Sequence, residues 1–451
     1  MKNIFRNKII IFLSIFFILL LTLFFILIPK NNTINTFSKE YLDSKGHQKI
    51  IPEYNSENSI AYNNKNGTKT LYLFTSPIAF YKDNELHFTD TKIKRTFEFN
   101  MIKKGYKYTV SNNDINTFYP KKLSQKNGIL IKKNYYTYEF GTLTSSSKSS
   151  LKNINNFIND KKTAVKYKTA NETLYFYPTS AGTNLELTFN KVPSSSSFSL
   201  WLKIPDSEIY IQKEQGGYLT LNKTKKDGTS DIVAVIQAPI LKSKNNEFSV
   251  LNNINYIKKS DQLYYINFSL DNNIIKNMSS LFISFEMRKE NYSDLGIYSK
   301  YPNLQNIYLS NYHILGNNDI FGTGQIISRY RHLKLYNLYT ANIQKVYLHM
   351  YSLTLYNDTL QIDQLNNGWC AVTANWNSKL KTGDKLSSSI LSDHEIKFDI
   401  TEAFKKWIND DSGTLEENGF LIKSYAKNNN YNIILSNDNS LYNNRLEIVF
   451  N

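Results

Sequence analysis

Cysteine is almost absent from this 451-residue sequence: Cys370 stands alone, so no intramolecular disulfide can form. A eukaryotic secreted chain of this size usually carries several cysteines, whereas a bacterial cell-surface protein need not. Sequons such as Asn66-Gly67-Thr68 and Asn171-Glu172-Thr173 then read as accidents of an Asn-rich chain. Cys370 sits in the apolar run Trp369-Cys370-Ala371-Val372, which predicts a buried, inert thiol rather than a nucleophile. Histidine is sparse too. His47, His87, His313, His332, His349 and His394 are scattered with no His-x-x-x-His pair, which argues against a zinc site. No Gly-x-Ser-x-Gly elbow occurs. Gly322-Thr323-Gly324 lacks the third glycine and the lysine of a phosphate cradle. Carboxylates are plentiful, but nothing in the sequence singles out a glycosidase pair.

What is abundant is aromatic and basic. There are 33 Tyr and 27 Phe against 17 Gly and 9 Pro, a balance that favours strands. With 41% hydrophobic residues the body is not disordered. The formal net charge is +16, with lysines spread along the whole chain. A nucleic-acid partner calls for a concentrated basic stripe or a known module, and neither is present. The charge fits an acidic glycan or an anionic envelope.

The first thirty residues carry the longest apolar run. Lys2, Arg6 and Lys8 precede Ile9 to Ile28, and Pro29-Lys30 closes it. A run of this length matches the roughly 20 residues that cross a bilayer as a helix. The cations predict a cytoplasmic tail at 1–8, a membrane anchor at 9–28 and an extracytoplasmic body. The alternative is a cleaved secretory signal, but the run is long for one and ends without a small-x-small site. Residues 29–58 are polar and read as a linker.

Beyond it, short strand-like runs follow one another with turn signals between them, which predicts an all-β body. Lys69–Phe74 and Leu86–Thr89 open the series, and Leu185–Phe189 alternates cleanly. Residues 59–298 read as one β-rich module with a subdomain break near 141–163. There Leu151, Ile154, Phe157 and Ile158 fit either a short helix or a connector. Residues 299–451 read as a second module with one helix. Thr401 is placed as its N-cap, and Phe404, Trp407 and Ile408 face the sheet.

The order of signals in that second module resembles the DNRLRE domain of bacterial surface proteins, grouped with carbohydrate-binding module family 96. The landmarks are Asn306–Ser310, Arg331–Leu338, Gly368-Trp369 through Asn375-Trp376-Asn377, Phe398–Thr401 with Trp407, and Asn418–Lys423 followed by Asn444–Phe450. The hexapeptide that names the family is absent, and Asn375 stands where the family has Thr. Upstream, Asn66–Thr70, Ser76-Pro77-Ile78 and Tyr81-Lys82-Asp83 are similar to a module that often precedes such domains. The resemblance implies a jelly-roll β-sandwich on secreted or wall-associated proteins.

Aromatic faces stack on sugar rings and cations bond carboxylates, so these residue types are the candidates for binding. In Arg329–Tyr336 read as a strand, Leu333 and Leu335 assign the odd positions to the core. Tyr330, His332, Lys334 and Tyr336 then face solvent or ligand, with an ordinary polar outer face as the alternative. Trp369 and Trp376 are candidates for a platform, or else core residues. No cofactor is expected. Asn317-Asn318-Asp319 could touch calcium, but a polar turn explains it better. The expectation is a membrane-anchored, non-catalytic cell-surface protein that binds polysaccharide. The alternatives are a structural or adhesive envelope protein using its sandwich for protein–protein contacts and, last, a glycan-active enzyme.

Overall fold

The run Ile232-Val233-Ala234-Val235-Ile236 has no polar residue with which to face water, and the fold gives it no water to face. In a computed structural model this strand lies in a sheet covered on both sides. The structure describes residues 37–451 except 38, 112–113, 156–160, 191–196, 216, 252, 271, 288–293, 304–311, 331–335, 355, 357–358, 371–373, 391–393, 410–417 and 437–443.

Three antiparallel sheets are stacked. The first has eight strands and runs from Ile254–Ser260 at one edge to Lys94–Arg95 at the other. The central sheet has ten, among them Lys161–Lys168, Glu172–Pro178, Gly182–Phe189, Met278–Met287 and Ser230–Ile236. Val165, Phe176, Leu185 and Phe285 from the central sheet share a core with Tyr138, Phe140, Leu200 and Ile266 from the first. Phe140 stacks on Phe285 with ring centroids 3.8 Å apart. The residues between them on the same strands point the other way. Ala164, Tyr177, Val235 and Phe282 join Leu295, Tyr312, Ile314 and Leu435 in a separate core against the third sheet. Strand period two therefore places alternate residues of one strand in two different cores.

The third sheet has thirteen strands and folds over on itself. Leu71, Leu73, Val346 and Ile448 from one end share a core with Ile326, Leu360 and Ile422 from the other. The helix Thr401–Ile408 closes that core with Phe404 and Trp407, the residues its spacing predicted. Its start differs by one residue from the expectation: Ile400 is the N-cap, and Asp399 Oδ1 accepts from the Thr401 amide at 3.0 Å.

Strand partners in this sheet come from both ends of the chain. Lys69–Phe74 pairs along its length with Arg445–Phe450, and Ser59–Asn64 and His47–Ile50 extend the sheet outward. Residues read as linker up to 58 are thus folded from Phe37 on, with Phe37 and Ile51 buried. Asp294–Tyr298, placed before the module boundary, pairs with Gly322–Ser328. Leu151 and Ile154 lie on an edge strand, Ser150–Asn155, paired with Lys161–Lys168; Phe157 and Ile158 fall outside the described residues.

The expected fold class needs correction. Among the described residues no helix is long and apolar enough to cross a membrane, and no sheet closes into a barrel. The anchor read at 9–28 and the tail at 1–8 lie outside the described residues. Over the described residues the structure shows an all-β arrangement of three stacked sheets. Nothing among the described residues supports the expected single-pass localisation or membrane partner.

Two substitutions test the stacking. Phe285→Ala opens a cavity against Phe140 and is expected to cost about 3–5 kcal/mol in denaturant unfolding. Tyr312 Oη donates to the Ala238 carbonyl at 3.1 Å across the second interface. Tyr312→Phe is expected to cost about 1 kcal/mol by the same measurement.

Candidate functional site

The strand that would have presented Tyr330, His332, Lys334 and Tyr336 ends at Ser328. Past it, Asn337 takes a left-handed conformation (φ 50°) and leads into the turn Leu338–Thr340. Tyr330 and Tyr336 therefore share no described strand. Tyr330 is buried beside Phe420, and Tyr336 is buried with its hydroxyl donating to Ser59 Oγ at 3.0 Å. His332 and Lys334 lie outside the described residues. Trp369 is packed: its Nε1 donates to the Asn418 carbonyl at 2.7 Å, and the Arg329 guanidinium lies 4.3 Å above its ring. Trp376 is half-buried against the same core as Trp369. The structure brings none of the described four to an open platform. Cys370, expected to be buried, is exposed.

The calcium candidate is a turn. Asn318 Oδ1 accepts from the amides of Ile320 and Phe321 at 2.8 and 3.0 Å. Among the described residues no group of three or more His, Cys, Asp or Glu could hold a metal ion.

A concave site does exist where the central and third sheets meet. A cleft of about 1010 Å³ is walled by the hairpin Ile240–Ser243 and Phe248–Val250, the helix Asn272–Asn277, and the third-sheet residues Tyr351 and Tyr431 with the adjoining Thr354 and His394. Its polar lining includes five amides, Asn246, Asn273, Asn277, Asn429 and Asn430, beside the hydroxyls of Ser243, Ser249 and Thr354. Phe248, Tyr351, Tyr356 and Tyr431 add aromatic surface. Lys242 and Glu247 are its charged residues, and they cancel. Burial pushes the Tyr431 hydroxyl up, which keeps it neutral. His394 is held in a left-handed conformation (φ 67°), with Nδ1 2.7 Å from the Ser352 carbonyl and its ring stacked on Tyr351.

Glu247 is the only carboxylate among the described lining residues, so the paired carboxylates of glycoside hydrolysis are not assembled there. His394 contacts a carbonyl and not an orienting carboxylate, unlike the base of a nucleophilic triad. Sequence reading missed the cleft because its walls are brought together from near residues 245, 275, 352, 394 and 430. The local signal was Asn428-Asn429-Asn430, which marks a tight turn and nothing more.

A second polar cluster lies on the same sheet and is structural. The His349 ring bridges two carboxylates, with Nδ1 2.9 Å from Glu395 and Nε2 2.8 Å from Glu447. Lys45 reaches Glu447 at 3.4 Å, and Arg445 reaches both Glu395 and the Tyr41 hydroxyl. These contacts fasten the N-terminal segment to the strands Ile343–Ser352 and Arg445–Phe450. Burial alone would push the Glu447 carboxyl up, but His349, Lys45 and Lys397 outweigh it and hold it at about 2. The hydrogen bond from His349 likewise lowers Glu395.

No family model matches the chain, and no curated protein matches it. Solved structures align only weakly. The N-terminal CBM22-1-CBM22-2 tandem domain from Paenibacillus barcinonensis Xyn10C aligns at 9% identity and TM-score 0.15, over 72% of this chain and 94% of that one. An exo-beta-1,3-galactanase from Phanerochaete chrysosporium aligns at 8% identity and TM-score 0.11, over 88% and 94%. At such TM-scores neither alignment bears on this chain's fold or chemistry.

The carboxylate cluster makes stability depend on acid. A carboxyl with a lowered folded pKa adds stability above its unfolded value, and that stability fades as pH falls through the folded one. Stability is therefore expected to decline from pH about 4.5 toward 2. Glu447 alone contributes roughly 1.4 kcal/mol per pH unit of that window. Urea unfolding at several pH values should show this slope, and Glu447→Gln should flatten it.

Proposed function

We propose that this chain is a non-catalytic structural or adhesive protein that acts through protein–protein contact, and that the cleft between its central and third sheets receives an extended segment of a partner protein. The observation that carries this reading is the cleft lining. Side-chain amides pair with peptide N–H and C=O groups, since each offers both donor and acceptor. Phe248, Tyr351 and Tyr431 offer rigid apolar surface to intervening side chains at low entropic cost. The cancelled charge of Lys242 and Glu247 favours an uncharged stretch. The expected membrane-anchored polysaccharide binder finds less support, because the residues chosen for it and described here are packed or hydrogen-bonded inside the protein. The DNRLRE-like order of landmarks is part of this proposal only as a kinship of sandwich architecture.

A photo-crosslinking residue introduced at Asn430 tests the reading. Irradiation in an extract of the source cells is expected to yield a polypeptide adduct, identified by mass spectrometry. The purified partner segment should then bind roughly tenfold more weakly to Thr354→Trp, which fills the cleft. Adducts indifferent to that filling would contradict the proposal, as would turnover of a polysaccharide by the intact chain.

A further inference from the structure

Phenylalanine is among the residues most often found fully buried. At one corner of the eight-stranded sheet the chain exposes two of them. After the two-residue edge strand Lys94–Arg95, which pairs with Tyr108 and Thr109, Phe97 is 89% exposed and Phe99 68%. Ile102, in the helical turn Phe99–Lys103, is 49% exposed. The turn is not loose. The Glu98 carbonyl accepts from the Met101 and Ile102 amides at 3.0 and 2.9 Å, and the Thr96 amide donates to Lys107 across the sheet edge. The three apolar side chains are thus presented from ordered backbone.

Their surroundings are basic. Lys92, Lys94, Arg95, Lys103 and Lys104 are all exposed, against Asp90 and Glu98 in the same stretch. Lys103 Nζ lies 4.4 Å over the Phe99 ring, and Lys94 pairs with Asp90 at 3.2 Å. An exposed apolar cluster with a charged rim marks an interaction surface.

We infer that Phe97, Phe99 and Ile102 dock into an apolar pocket rimmed by carboxylates on a partner protein, with the Lys and Arg side chains pairing across the rim. The inference rests on the reading of this chain as a protein-contact molecule but uses a surface separate from the cleft. Charge selects the occupant. A second copy of this chain would bring like-charged rims together. An anionic lipid surface would meet the exposed Glu98, which lies between Phe97 and Phe99 in sequence, whereas a protein pocket can satisfy that carboxylate with a donor. Addition of a partner strand is disfavoured too, because the edge is two residues long and carries Lys94 and Arg95.

The test uses the full chain and a fluorescent synthetic peptide with leucines on one helical face and glutamates on the other. Saturable binding is expected, weakening with added salt. Phe97→Ser with Phe99→Ser, and separately Lys103→Glu with Lys104→Glu, should each weaken it roughly tenfold while circular dichroism stays unchanged. Thr354→Trp should leave it unaltered, which keeps failure at the cleft distinct from failure here. The inference is overturned by any of three results: undiminished peptide binding by the Phe variant; retention on phosphatidylcholine–phosphatidylglycerol vesicles that the Phe variant loses while peptide binding is absent; or self-association of the parent chain that the Phe variant abolishes.

Discussion

Burial of the central sheet on both faces is the constraint on which the rest of the structure depends. A sheet with one wet face can stand with a single partner, but this one cannot. Phe285 and Phe282 are neighbours in sequence, yet one stacks on Phe140 of the first sheet and the other packs toward the third. Removing either outer sheet would expose an apolar face along Ser230–Ile236 and Met278–Met287. The two halves of the chain are therefore held together by one layer that belongs to both. Pairing within the third sheet adds a further tie, since Lys69–Phe74 pairs with Arg445–Phe450 and locks the early residues onto the last strand.

That architecture decides where contact surfaces can lie. Aromatic residues are abundant, but most of the large ones serve the three cores. What remains for partners is the seam between layers and the corners of the outer sheets. The cleft is such a seam. Its walls come from the central sheet's short hairpin and from the third sheet, so its shape depends on their packing. The Phe97–Ile102 corner lies at the edge of the first sheet, where no other described layer covers it. The ion cluster around His349 belongs to the scaffold: it fastens residues 41–45 to the last strand.

Much of the secondary structure was legible in the sequence. Leu185–Phe189 alternates and is a strand, and Phe404 and Trp407 sit at helical spacing and are the buried apolar residues of their helix. The run at 232–236 could be read as a strand, but not as one with two partners, because periodicity within a segment is silent about what covers each face. Pairing across nearly the whole chain, as between Thr70 and Val449, leaves no local trace either. The burial of Tyr330 and Tyr336 was not legible for a sharper reason. Assigning Tyr330 and Tyr336 to an outer face assumed an unbroken strand. The strand stops at Ser328, and two tyrosines with apolar bodies turned inward once a hydroxyl partner, Ser59, was at hand for one of them. The cleft was invisible because its lining is assembled from distant segments.

The most direct test of this account is native-state hydrogen exchange combined with calorimetry on the intact chain. The doubly buried central sheet predicts one cooperative unfolding transition. It also predicts that the slowest-exchanging amides lie in Glu172–Pro178, Gly182–Phe189 and Met278–Met287, protected at the global unfolding free energy. Two separate transitions, with strands such as Ile343–Ser352 and Arg445–Phe450 opening while the central sheet stays protected, would contradict it.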